Sequence, residues 1–240
     1  SFIGLVITAF LFSVILFFLN NLFHINLSIA TIILLGAVLA STDPAAIIPV
    51  LKQLRFFNRK TKDIIISESA VTDVVGTILT VAFLGFFINK IEFTSISEAY
   101  QALFTQETGL ALFKEMFFGI ILGLAGYGLL RFLAWLKKGQ TQEFEVDAIF
   151  ILFVPLMIFS VAAAFGGSGY LAAFVAGLLS SFDDKLTKSE EYFNHTIEGI
   201  LKPIIFLLLG ALVDPQELIK YAGIGITIAV IFMFLVRPLA

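Results

Sequence analysis

Apolar residues run along this chain in long blocks, and no stretch alternates apolar and polar positions with the period of two that a β-strand needs. The blocks cover about 1–19, 28–51, 64–88, 111–136, 147–164, 168–182, 200–213 and 222–240. A membrane-spanning helix needs roughly 20 mostly apolar residues, so the pattern predicts a multi-span helical bundle with about eight spans, and argues against a β-barrel. Composition agrees. The chain is 59% hydrophobic and 14% charged, with a mean hydropathy of +1.02, against about 45–50% and about 25% for soluble domains. A soluble domain of 240 residues has too little interior to hide that much apolar surface.

Charge and cysteine content narrow the function classes. A net charge of −3 provides no basic face, so nucleic acid is not an expected partner and membrane lipid is. With no cysteine, disulfide frameworks, thiolate catalysis and thiolate metal sites are excluded. The first basic residue is Lys52, so no charged segment of signal-peptide type precedes the first apolar run. Ser1 already lies inside that run and Ala240 inside another, which leads us to expect a portion of a longer protein.

Lysine and arginine set orientation in membranes. Lys52, Arg55, Arg59, Lys60 and Lys62 crowd into one segment, and Arg131, Lys137 and Lys138 mark a second one two spans later. We therefore expect loops 52–63 and 131–146 to be cytoplasmic. The connection 89–110, with Lys90 against Glu92, Glu98 and Glu107, is expected outside. The segment 183–202 mixes charges and reads as a solvated linker.

Ionisable groups at bilayer depth are costly and point to function. In the second block, Ser41-Thr42-Asp43-Pro44 interrupts an apolar run, and Pro49 follows. Pro44 has no N–H and disfavours helix at Asp43. Asp43 sits roughly 22 Å beyond Ser28 along a helix, past the midplane of the bilayer. A break there frees backbone groups that a polar cavity or an ion must satisfy. Asp43 can also serve as N-cap of a following half-helix. In the third block, Glu68 and Thr72 share one helix face, while Ser69 and Asp73 share the next, continued by Thr77 and Thr80. Counted from Ile64, Asp73 lies roughly 14 Å deep, where snorkelling cannot reach water; Glu68 is one turn in and can snorkel. Arg237, before Pro238, is the basic residue embedded in the last block. It either snorkels to the headgroups or provides the cation that a buried Glu68 needs.

Other features read as packing. Gly119 and Gly123, with Gly126 and Gly128, form a small-residue face for close helix contact. Gly166-Gly167-Ser168-Gly169 reads as a hairpin loop, and Asp214-Pro215 as a turn opening a short external helix. His24 and His195 fall in predicted loops without metal-ligand spacing.

Ser41-Thr42-Asp43-Pro44-Ala45-Ala46 in a broken span, a basic loop, and then Glu68-Ser69-x-x-Thr72-Asp73 together resemble the sodium/proton exchanger superfamily, in its electroneutral cation:proton antiporter branch. Gly167-Ser168-Gly169-Tyr170-Leu171-Ala172-Ala173-Phe174-Val175-Ala176-Gly177-Leu178, then Leu209-Gly210-Ala211-Leu212-Val213-Asp214-Pro215 and Val236-Arg237-Pro238, follow in that family's order. The resemblance implies an inverted-repeat antiporter fold with a discontinuous helix at Thr42–Pro44. On that fold, residues 1–240 form a partial transmembrane domain lacking N-terminal spans and a second broken helix, and unable to transport alone. It implies a secondary transporter rather than an enzyme: one exchanging Na⁺ or K⁺ for protons, electroneutrally, as a multi-pass homodimer of the plasma (inner) membrane. No cofactor is implied; Na⁺, K⁺ or Li⁺ and H⁺ are the cargo.

By resemblance, Asp73 is the carboxylate shared by cation and proton, with Ser69 and Thr42 as oxygen ligands. Glu68 is the acid bridged to Arg237, and Asp43 polarises the crossing. Thr72 departs from the family, which places Asn there; the electrogenic branch has a second Asp at that position. Alternatives are a proton-coupled symporter or channel-like transporter, an intramembrane aspartyl protease using Asp43 and Asp73, and a non-transporting structural membrane protein. The protease reading lacks the Gly-x-Gly-Asp sequence such enzymes place at one aspartate.

Overall fold

The computed structural model describes residues 2–42, 51, 58–136, 144–181, 199–201 and 203–239. Among them the chain is helical, with no strand. The helices are α1 (Phe2–Leu22), α2 (Ile29–Ala40), α3 (Arg59–Ile88), α4 (Ile96–Ala102), α5 (Gln106–Leu136), α6 (Phe144–Ala164), α7 (Gly169–Ser180), α8 (Gly199–Ala211) and α9 (Pro215–Ile231). A π-helical turn, Phe232–Val236, carries α9 into Arg237–Leu239. Four helical stretches are long and apolar enough to cross a membrane: Ile3–Leu22, Lys60–Ile88, Gln106–Leu136 and Pro215–Leu239. Four of the expected spans are represented by shorter apolar helices.

Three expectations are corrected. The segment 52–63 is not all loop, because Asn58 caps α3 through Lys60 N (3.3 Å) and Arg59–Asp63 form its first turns. Helix hydrogen bonding continues past the apolar run: 30 residues reach about 45 Å, against a hydrocarbon core of about 30 Å. Arg131 likewise belongs to α5, and helix is present from Phe144, so both ends of the expected loop 131–146 are helical. Asp214 opens no short external helix. Its carboxylate accepts from Gln216 N at 2.8 Å, Pro215 takes the first helical position, and helix runs on to Leu239.

The chain divides into two compact units: residues 1–109 with 219–240, and residues 110–218. In the first, α1 and α2 form an antiparallel pair. The turn between them is pinned by the Asn20 amide, which accepts from Leu27 N (2.8 Å) and donates to Leu27 O (3.4 Å). Leu5, Ala9, Phe12, Leu16 and Leu19 recur at helical spacing and are buried. Gly36 admits α1 closely: a β-carbon there would lie 2.9 Å from Ala9 O and would collide with Ser13 Oγ. The short helix α4 carries Tyr100 onto this pair. Its ring meets Phe10 and Phe83 at 5.2 and 5.0 Å, and its hydroxyl lies 3.1 Å from Ser13 Oγ. Burial pushes the Tyr100 phenol up to about 12, partly opposed by the Ser13 bond. At the start of α4, Ser95 accepts from Glu98 N, and the Glu98 carboxylate accepts from Thr94 N and Oγ1, bonds that hold it below the usual carboxylate range.

In the second unit, Leu130, Val154, Ile158, Ala162, Ala172 and Ala176 form the core. Gly119 and Gly123 of α5 meet backbone carbonyls of Ser168 and Ala172, and Gly126 meets the Ile158 side chain. Gly128 has open space beside it and stands off the contact face, contrary to the expected four-glycine stripe. The 166–169 segment is the expected turn: Gly166 adopts φ +71°, and Ser168 caps α7 by accepting from Leu171 N.

Candidate ion-binding site

Helix α2 stops at Ala40, and Ser41 is extended at φ −76°, ψ 153°. The sequence explains the stop. In a continuing helix the Ala40 carbonyl would accept from residue 44, but Pro44 has no N–H to donate. The vacant place is filled from elsewhere: Arg237 Nη2 donates to Ala40 O at 3.2 Å. A cation at the carbonyl end of a helix is favoured by the helix dipole as well as by the bond. Arg237 is half-buried, with its guanidinium over the Phe232 ring at 5.6 Å. The π-helical turn just before it closes with Arg237 N donating to Phe232 O.

The loose end of α2 lies along α3. Ser69 Oγ donates to Thr42 O at 2.7 Å, and Thr42 Oγ1 and Thr72 Oγ1 are 3.2 Å apart. Thr72 Oγ1 also reaches back to Ser69 O at 3.0 Å. Ser41 Oγ donates toward Asp73 Oδ1 at 3.4 Å, a long bond. The close approach depends on Gly76, where a β-carbon would sit 2.7 Å from the Ser41 β-carbon. Ser69 and Thr72 are 1% and 6% exposed, whereas Asp73 is exposed and Thr42 half-buried. Buried hydroxyls therefore anchor the break, and the carboxylate beside them is exposed.

Asp73, Ser69, Thr42 and Thr72 thus come together, and Arg237 reaches the same break from the last helix. Glu68 and Arg237 do not meet: among the described residues no ion pair joins them, Glu68 is exposed, and the guanidinium is engaged with Ala40 O and Phe232. Asp43, Pro44 and Pro49 lie outside the described residues, as do Lys52, Arg55, Lys137, Lys138 and His195. Thr77 and Thr80 bond their own helix, to Asp73 O (2.9 Å) and Gly76 O (2.7 Å), and supply nothing to the crossing. Sequence reasoning gives Ser41 no site role beyond its place in the interrupting motif, and it does not single out Gly76. Ser41 adjoins Thr42, and Gly76 lies seven residues after Ser69 on the same face, so helical spacing offered a signal for Gly76.

The family model described as the sodium/hydrogen exchanger, transmembrane, matches residues 1–240. The chain belongs to that family. It is an integral membrane protein. Among named relatives it is 26% identical over 213 residues to the K(+)/H(+) antiporter NhaP of Alkalimonas amylolytica, covering 87% of this chain and 34% of that protein. It is 29% identical over 211 residues to the K(+)/H(+) antiporter NhaP2 of Shewanella sp. (strain ANA-3), with the same coverage. The Na(+)/H(+) antiporter 1 of Methanocaldococcus jannaschii is 28% identical over 215 residues, covering 86% of this chain and 47% of that exchanger. The chain therefore spans about one third of the length of the first two relatives.

Proposed function

We propose that this chain forms the ion-site portion of a secondary transporter that exchanges Na⁺ or K⁺ for protons, with Asp73 as the shared carboxylate. The observation that carries the reading is the exposed Asp73 carboxylate set against the open end of α2, with Ser41 donating toward it and Thr42 anchored beside it. An alkali cation seeks several hard oxygens, and a carboxylate with hydroxyl and freed carbonyl oxygens supplies them. A proton seeks the same carboxylate once the cation leaves. An empty charged Asp73 is costly in a low-dielectric path, so the site moves only when loaded, and alternating access then yields obligatory exchange. With Thr72 where the electrogenic branch has a second acid, exchange is electroneutral.

The same reading assigns eight crossings in an inverted-repeat bundle, the shorter apolar helices included, in the plasma (inner) membrane. The basic segments near 52–63 and 131–146 face the cytoplasm, and the transporter is a homodimer. Asp43 polarises the break and Arg237 holds it. Glu68, two and a half turns into α3, lines the approach to Asp73. Cation and proton are cargo, and no cofactor takes part.

The test uses the full-length protein in proteoliposomes. Adding Na⁺ or K⁺ drives protons the opposite way across the membrane; Asp73→Asn abolishes this for every cation while insertion and thermal stability are kept. Cation-dependent proton flux surviving in that variant, or flux in the same direction as the cation, overturns the reading.

A further inference from the structure

We infer that Thr72 is a positioning residue that makes the Thr42 hydroxyl a committed acceptor for the transported cation; this rests on Asp73 being the exchange carboxylate. The argument is a count of hydrogens. Ser, Thr and their carbonyl partners leave few choices, since a hydroxyl has one hydrogen to give and a carbonyl none. Thr72 Oγ1 lies 3.0 Å from Ser69 O, so the Thr72 hydrogen is spent there. In the 3.2 Å contact between Thr42 and Thr72 the donor is then Thr42. Ser69 spends its hydrogen on Thr42 O at 2.7 Å. These bonds close a ring: Thr42 to Thr72, Thr72 to the Ser69 carbonyl, Ser69 to the Thr42 carbonyl.

Every hydroxyl hydrogen of the ring is used inside it. What Thr42 Oγ1 has left to offer outward is lone pairs, which suits a hard cation. Two of the ring's three side chains are buried, Ser69 1% and Thr72 6% exposed, so water competes little for the bond from Thr72 to Ser69 O. Ser41, the adjacent residue, has the opposite polarity, giving its hydrogen toward Asp73. The loose end of α2 thus presents a donor to the carboxylate and an acceptor to the ion, side by side. An amide at position 72 can donate or accept and imposes no such direction; a hydroxyl already committed to Ser69 O imposes it. Sequence gives no hint of this, because it depends on where one hydrogen goes.

The test measures proton flux in proteoliposomes of the full-length protein against Na⁺ and, separately, K⁺ concentration. Thr72→Val keeps the shape and removes the hydroxyl; the apparent KM for the cation should rise about tenfold, the scale of one hydrogen bond, with kcat changing far less. Thr72→Ser keeps the ring and should recover most of the parent KM. An unchanged KM in Thr72→Val, or a Thr72→Ser variant as impaired as Thr72→Val, overturns the inference. Should Thr72→Val not fold, Thr72→Ala carries the same comparison with Thr72→Ser. Cation-induced thermal stabilisation of the purified variants reports binding without turnover and should follow the same order. Asp73→Asn separates the two levels. Loss of both flux and cation stabilisation in that variant keeps the exchange site standing whatever position 72 does, while retained exchange removes the exchange site itself.

Discussion

Two helix crossings in this molecule use the same device to opposite ends. At the α2–α3 crossing, Gly76 lets the Ser41 β-carbon within 2.7 Å of where its own would be; at the α5–α7 crossing, Gly123 does the same for the Ala172 carbonyl oxygen. Around Gly123 the neighbours are Ala172 and Val175, and the helices run unbroken past one another. Around Gly76 they are Ser41, with Leu5 Cδ1 at 3.8 Å, and one of the helices has just ended beside the Thr42, Ser69 and Thr72 hydroxyls. In lipid, small residues gain van der Waals contact between helices, and at α5–α7 that is the whole effect. At α2–α3 the approaching backbone brings carbonyls that have lost their helical partners, and side chains from α3 and from Arg237 must satisfy them. A glycine notch is packing where the facing helix is intact, and part of a site where it is broken.

The contrast is sharpened first by removing what differs most. Asp73→Asn is predicted to eliminate exchange with little change in melting temperature, because the amide keeps the shape of an exposed side chain. Gly123→Val should do the reverse. It drives a branched side chain against Ala172 O and Val175 and is expected to cost about 1–3 kcal/mol in detergent unfolding, with the cation KM of surviving protein unmoved. A shifted KM in that variant would mean that the two crossings are coupled.

Ser69→Ala comes next. It removes the donor to the Thr42 carbonyl from a position 1% exposed, and an unsatisfied buried acceptor costs about 1–3 kcal/mol. Unlike Gly123→Val, it should also weaken cation binding, measured as reduced cation-induced thermal stabilisation, because it frees the end of α2.

The smallest effect is expected far from the ions. Tyr100→Phe loses one bond to Ser13, worth about 0.5–1.5 kcal/mol. This phenol also dictates a pH dependence. Its folded value, about 12, lies above the ordinary 10.0, so the folded state holds the proton longer than the unfolded state does. Its stabilisation is fully present below pH 10 and is lost as pH rises toward 12. Melting curves of the parent and Tyr100→Phe, collected up the alkaline range, should converge there; parallel curves would show that the phenol does not titrate with unfolding.

Much of this was legible in the chain itself. Long apolar blocks specify a helical membrane protein because lipid offers backbone groups no alternative partner. The interruption of α2 at Ser41 follows from Pro44, a local and covalent cause, and the face shared by Ser69 and Asp73, next to that of Thr72, follows from helical spacing. Partnerships were another matter. Charge matching and the family resemblance both pointed Arg237 at Glu68, yet the tertiary structure gives it to the Ala40 carbonyl, 197 residues away in sequence. Ser41 facing Asp73, Gly76 making room for it, and the hydroxyl ring through Thr72 were likewise decided only in three dimensions. Periodicity reports which face of a helix is polar, because that is set by geometry within one turn. It cannot report which unpaired carbonyl that face will meet, because that depends on how closely two distant segments are allowed to approach.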